Sequence, residues 1–363
     1  MNKRKLDKQP FAGCLSLLKE NILLVAGIVI TFSLCMYSIL GVFGFSAYPD
    51  EFGYWSPAAA ILGYDWSAIT SLGSFYSYGY SILLVPILSF FDGAINTYRA
   101  AVSLNLILQC ISIPLIYCIL INVFPADNRN IAKISAVISV LYPAWVFYTQ
   151  TTMAESLLSF LFVLSAYLML LFFEKPSVLK GFFCALVLMY CYFVHMRCLG
   201  TIAAGVLTLI IWLFSQRKSN NKNKIGKKVW LIPVIIVVLF VASFTIKSFV
   251  IDNLYHSAGK DMLSWNDYSS VPHRILRTFT DGGVKYLFQD VCGKLLYLGL
   301  ATYGTAYFGI YFYAKNFASV IKKIKRREYT HCDFLKLYLF LATFAQFMVA
   351  LIYLNGPFVT FSG

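Results

Sequence analysis

Apolar runs of about 20 residues recur along this 363-residue chain, separated by short polar gaps. That is the length a helix needs to cross the ~30 Å hydrocarbon layer of a bilayer. The pattern predicts spans at roughly 22–45, 97–124, 131–149, 154–173, 178–196, 199–215, 229–250, 293–314 and 334–354. One further apolar stretch, 81–91, has about half the length a span requires. The expected fold is an all-α polytopic membrane protein with about nine transmembrane helices and interfacial helices in the first outer loop. A cytoplasmic N-terminus, 1–21, precedes a transmembrane domain over 22–363.

Charge decides the orientation. A net charge of +14 on a soluble domain would suggest nucleic acid, but with 59% hydrophobic and 13% charged residues the cations lie in the gaps between apolar runs. Such a distribution reports topology, so no nucleic-acid role follows. If 81–91 crossed the bilayer, Arg217, Lys218, Lys222, Lys224, Lys227 and Lys228 would fall outside, together with Lys322, Lys323, Lys325, Arg326 and Arg327. If it lies in the interface, both clusters fall inside with Lys3, Arg4, Lys5 and Lys8, and the positive-inside rule holds throughout.

The second arrangement is expected, with 216–228 and 315–333 as cytoplasmic loops and 46–96 and 251–292 as long outer loops. Tight outer turns then fall near Thr152 and Arg197. The first run is too long for a signal-peptide core, and no apolar region precedes the lipoprotein-like Phe11-Ala12-Gly13-Cys14. Most of the nine cysteines lie in apolar runs without a C-x-x-C pair, as small core residues do.

The chain holds only 16 acids, and in this topology Asp50, Glu51, Asp65, Asp92, Glu155, Asp252, Asp261, Asp267 and Asp281 all face outward. The outer face is therefore the expected place for chemistry. Its first loop opens with Tyr48-Pro49-Asp50-Glu51-Phe52-Gly53-Tyr54-Trp55, and residues 42–91 carry 14 aromatics, the enrichment of a headgroup-level segment.

Asp50 suits a helix N-cap beside interfacial Tyr54 and Trp55. Two adjacent carboxylates equally suit a proton acceptor or a shared cation. Thr152-Met153-Ala154-Glu155 matches a capping box, which leaves Glu155 free to face the outer vestibule as well. His195 and Arg197 suit helix C-terminal caps or a phosphate clamp, the latter because arginine makes charge-assisted, often bidentate bonds to phosphate. In the second outer loop, His256, Lys260, His273, Arg274 and Arg277, with Trp265 and Tyr268 among them, either meet an anionic headgroup or solvate the loop.

An acidic pair after the first span, an aromatic interfacial segment, a second acid after Tyr142-Pro143-Ala144-Trp145 at Ala154-Glu155, and an outer arginine on a later turn together resemble the GT-C superfamily of membrane glycosyltransferases. The layout is most similar to the branch with protein O-mannosyltransferases and lipid A aminoarabinose transferases. The resemblance implies a catalytic base at Asp50 or Glu51 and a second-loop acid at Glu155. It also implies a polyprenyl-phosphate sugar donor held by Tyr54, His195 and Arg197.

The implied acceptor is a hydroxyl of a glycan, lipid or protein at the outer face of the cell membrane, in cell-envelope chemistry. No particular cofactor is implied, and a divalent cation on Asp50 and Glu51 stays open. The chain departs from the family in two places. Tyr76-Ser77-Tyr78-Gly79-Tyr80 replaces the usual His-Pro-Pro or Pro-Pro-Leu-His segment, and the chain stops at Gly363 where relatives continue, as a short or truncated member would. Two other classes stay open: a transporter or flippase of lipid-linked saccharide, for which Lys247 and Gln109 are the polar residues inside apolar runs, and a non-catalytic membrane scaffold; within the enzyme class a polysaccharide polymerase or ligase is the near neighbour.

Overall fold

The computed structural model describes residues 20–46, 50–66, 77–124, 129–217, 227–256 and 283–353. Among these residues thirteen α-helices follow in chain order: α1 (Ile22–Leu40), α2 (Asp50–Ile61), α3 (Gly79–Phe90), α4 (Ala94–Val123), α5 (Arg129–Val140), α6 (Pro143–Thr149), α7 (Ala154–Glu174), α8 (Val178–Val194), α9 (Leu199–Arg217), α10 (Ile232–His256), α11 (Gly283–Ala301), α12 (Thr305–Arg326) and α13 (His331–Tyr353). Short 3-10 turns over Met196–Cys198 and Lys227–Leu231 precede α9 and α10. No strand occurs among the described residues.

Six helical segments are long and apolar enough to cross a membrane: Ile22–Leu40, Ala94–Val123, Ala154–Glu174, Leu199–Gln216, Val229–Ile246 and His331–Val349. The chain is a multi-pass, all-helical membrane protein in this sense. The bent pair α5 and α6 makes a seventh if it counts as one span, and Gly79–Phe90, Val178–Val194 and Val291–Leu300 are apolar but shorter.

Two expected spans are not continuous. The run 131–149 breaks after Val140 and turns by 54° into α6, because Pro143 lacks the N–H that a through-helix would need. The run 293–314 is interrupted by the turn Thr302-Tyr303-Gly304. There Tyr303 and Gly304 adopt positive φ (51° and 79°), a conformation that ends α11 and that glycine adopts without strain. The Thr302 hydroxyl then accepts from Ala306 N–H at 3.1 Å, satisfying a free donor at the start of α12. Much of the expected cytoplasmic loop 315–333 is consequently helical, to Arg326.

Several residues singled out in the sequence lie outside the described set: Lys3, Arg4, Lys5, Lys8, Tyr48, Pro49, Tyr76, Lys218, Lys222, Lys224, Lys260, Asp261, Trp265, Asp267, Tyr268, His273, Arg274, Arg277 and Asp281.

The chain divides into two compact units, one of 1–47 and 91–163, the other of 48–90 and 164–363. In the first, α1, α4 and α5 share a core of Leu24, Ile113, Ala136 and Val140, with Trp145 of α6 against it. Arg99 of α4 donates to the carbonyls of Leu40 and Val42 and lies over the Phe43 ring at 5.4 Å, which caps the C-terminal end of α1 with a cation. At the opposite end of α1, the buried Lys133 donates to the Glu20 carbonyl and Arg129 pairs with the Glu20 carboxylate at 3.5 Å.

In the second unit, Phe172, Phe173, Trp212 and Phe334 form an edge-packed aromatic core among α7, α9 and α13. Buried Ser165 and Tyr338 hydroxyls pair at 2.7 Å, and Gln346 donates to Thr201 at 2.6 Å. Such polar pairs help join apolar helices where burial supplies little driving force. The turn into α13 carries Thr330 and Asp333: the Asp333 carboxylate accepts from Thr330 N–H and hydroxyl, both at 2.8 Å, and meets Lys323 at 3.4 Å.

Candidate functional site

The acidic pair opens α2, where the positive end of the helix dipole favours carboxylates. Consecutive helical positions point about 100° apart, and the two acids accordingly meet different surroundings: Glu51 is completely buried and Asp50 half-buried. The two carboxylates thus differ in environment, Glu51 enclosed and Asp50 partly open.

One turn after Glu51, Tyr54 ties α2 to α3. Its carbonyl accepts from the Ser81 hydroxyl at 2.6 Å, and its ring meets Tyr80 edge-on with centroids 5.7 Å apart. The Tyr54 side chain is thus committed to packing beside Glu51 rather than lying flat on a surface.

The first turn of α3 is tied equally closely to the end of α8. Tyr190 donates its hydroxyl to the Gly79 carbonyl at 2.8 Å. A Cβ at position 79 would stand 2.5 Å from the backbone of Phe193 and Val194, so only glycine allows the two helices this approach. Tyr78, just before the helix, leans on the Phe193 ring at 5.4 Å. Residues 78–81 therefore hold the Glu51 end of α2 on one side and the end of α8, next to His195, on the other.

His195 terminates α8 in extended conformation, its N–H still bonded to the Cys191 carbonyl at 2.9 Å. The imidazole is buried, and its Nδ1 accepts from Arg197 N–H at 3.1 Å. A neutral ring accepting at Nδ1 carries its proton on Nε2, so Nε2–H is the donor this residue offers. Cys191 and Cys198, on either side of it, are buried. Arg197 is exposed on the 3-10 turn and has no ion-pair partner among the described residues. The second unit thus contains Asp50, Glu51, Tyr54, His195 and Arg197, and of these Tyr54 touches the first turn of α3 directly, while His195 follows the α8 end that packs on it.

Glu155 belongs to the first unit. Helix α7 begins at Ala154, which places Glu155 in its first turn, just after the Thr152 that the capping box expects at its start. What positions it is the bend before it. Asn105 and Gln109, four apart on α4, donate to the Thr151 carbonyl at 2.9 Å and the Val140 carbonyl at 2.7 Å, the two ends of the α6 segment. Gln109 so satisfies a carbonyl that the break leaves without a helical partner. Gln150 extends the clamp by donating to the Cys35 carbonyl at 3.5 Å.

Sequence reasoning missed Gly79, Tyr190, Arg99 and the role of Asn105. The available signals were an amide pair four apart in an apolar run and a glycine flanked by tyrosines. No group of three or more metal-ligating side chains occurs among the described residues. No protein-family model matches the chain, and no curated protein matches its sequence.

Proposed function

We propose that this protein is an integral membrane glycosyltransferase that moves a sugar from a polyprenyl-phosphate donor to an acceptor hydroxyl at the outer face of the cell membrane, within a nine-span topology with a cytoplasmic N-terminus. The observation that supports the proposal is the junction at 78–81, which is tied to Tyr54, one turn after the enclosed Glu51, and to Tyr190 and Phe193 at the end of α8, which leads into His195 and Arg197. A lipid-phosphate sugar already has a good leaving group. Its transfer needs a carboxylate to take the acceptor proton and donors to receive the departing phosphate. Glu51 or Asp50 supplies the first, and His195 Nε2–H and Arg197 supply the second. Glu155 is the second acid that the resemblance assigns, and Asp50 is the carboxylate open enough to take a divalent cation.

The test is sugar transfer from radiolabelled polyprenyl-phosphate donors in membranes with matched expression. Wild type should consume a donor. Glu51→Gln or Asp50→Asn should lower the rate by about 10²- to 10⁴-fold, the usual contribution of a proton acceptor. Arg197→Ala should weaken donor use by about 10- to 100-fold, as loss of a hydrogen bond to a charged group does. Unchanged transfer in all three variants rules out this site.

A second reading, transport or flipping of a lipid-linked saccharide, is favoured by the bend in the first unit. There Trp145 Nε1, Gln150 Oε1 and Ser156 Oγ, with Thr31 Oγ1 one turn from Cys35 on α1, are buried without a partner among the described residues. Broken helices lined by polar groups are how transporters hold solutes at mid-membrane. Movement of labelled saccharide lipid across sealed vesicles without sugar release would select this reading.

A further inference from the structure

The Tyr78 side chain is 5% exposed, and its hydroxyl, completely enclosed, has no hydrogen-bond partner among the described residues. Leaving such a donor unmet destabilises the fold. A phenylalanine would fill the same space against Phe193 without that cost. The neighbouring tyrosines show the contrast, since the Tyr190 hydroxyl is spent on the Gly79 carbonyl and the Tyr338 hydroxyl on Ser165.

The place of this hydroxyl is specific. Tyr78 directly precedes α3, whose first-turn N–H groups and dipole favour an anion. Its ring sits on Phe193, two residues before His195 and four before Arg197. Burial, together with Tyr192 nearby, pushes the phenol above its ordinary pKa, so it keeps its proton and acts as a donor at any physiological pH.

We infer that Tyr78 is a donor-binding residue whose hydroxyl hydrogen-bonds a phosphate oxygen of the polyprenyl-phosphate ligand, alongside the α3 N-terminus, His195 and Arg197. The inference rests on the glycosyltransferase reading for the identity of the ligand. It makes the start of α3, from Tyr78, part of phosphate recognition. The hydroxyl costs stability in the empty protein, and the ligand recovers that cost on binding.

The test measures binding of a polyprenyl monophosphate and of the corresponding neutral polyprenol to detergent-purified full-length protein, with thermal stability recorded in parallel. Wild type should prefer the phosphate. Tyr78→Phe should melt at the same or a higher temperature, bind the phosphate at least about 10-fold more weakly, the loss of one charge-assisted bond, and bind the alcohol as wild type does. Tyr338→Phe is the control: it loses the bond to Ser165 and should melt lower while keeping the wild-type preference for phosphate over alcohol.

Unchanged phosphate binding by Tyr78→Phe overturns the inference, as does an equal loss for phosphate and alcohol. If wild type binds neither lipid, both this inference and the transferase reading fall. If wild type binds the phosphate in a Tyr78-dependent way yet transfers no sugar from any donor, the transferase reading falls and the phosphate site stands.

Discussion

The two units each contain an interruption in helical structure, and they hold it in different ways. In the first, the break between α5 and α6 is held by side-chain amides: Asn105 and Gln109 reach from one helix face to the carbonyls at both ends of the bend. In the second, the junction of α2, α3 and α8 is held by hydroxyls and direct backbone approach, with Ser81 on Tyr54, Tyr190 on Gly79, and no room for a side chain at Gly79. An amide clamp spans a gap and tolerates movement of the clamped piece. A glycine-mediated backbone contact does not, so it suits groups that must keep a fixed geometry, as Glu51, His195 and Arg197 must for the reaction proposed.

This comparison is sharpened most by Gly79→Ala. The added methyl meets backbone rather than a flexible side-chain end, so α3 and α8 must separate. Overpacking of this kind costs about 1–3 kcal/mol or more, and transfer should be lost well below the temperature at which helicity melts. A variant that keeps both stability and activity would show that the junction is not rigid.

Gln109→Leu should have the next largest effect. It leaves the Val140 carbonyl unmet and removes an interhelical bond, at about 1–2 kcal/mol in a membrane bundle, seen as a lower thermal or detergent-unfolding midpoint. The binding preference for phosphate over alcohol should stay as in wild type. If that preference vanishes instead, the bend participates in ligand recognition and the distinction drawn above fails.

The smallest effect is expected at the turn before α13. Thr330→Ala removes a hydroxyl from the Asp333 carboxylate and should cost about 1 kcal/mol without altering transfer. Loss of transfer with normal stability would assign this turn a role that neither comparison region explains.

Much of the architecture was legible from the apolar runs. The segments 22–45, 97–124, 154–173, 199–215, 229–250 and 334–354 each coincide with a helix apolar enough to span. Where the run was read as continuous and is not, at 131–149 and 293–314, the break is made by Pro143 and by the positive-φ pair Tyr303 and Gly304. Hydropathy averages over a window and is blind to one missing N–H or one left-handed residue. The candidate site was legible as residue types but not as an arrangement. Adjacency of Asp50 and Glu51 in the chain suggested a shared carboxylate pair, whereas helical geometry turns one inward and leaves the other half-open.

The sequence by itself determined that this is a membrane protein of many apolar helices, because burial in hydrocarbon depends on composition over about 20 residues and on nothing further away. It also determined which acids and cations are present. Tertiary structure alone decided that residues 78–81 join the Glu51 turn to the His195 turn, that Gly79 must lack a side chain, and that Tyr78 keeps an unspent hydroxyl. These depend on contacts between residues 27 and 111 positions apart, which no local pattern encodes.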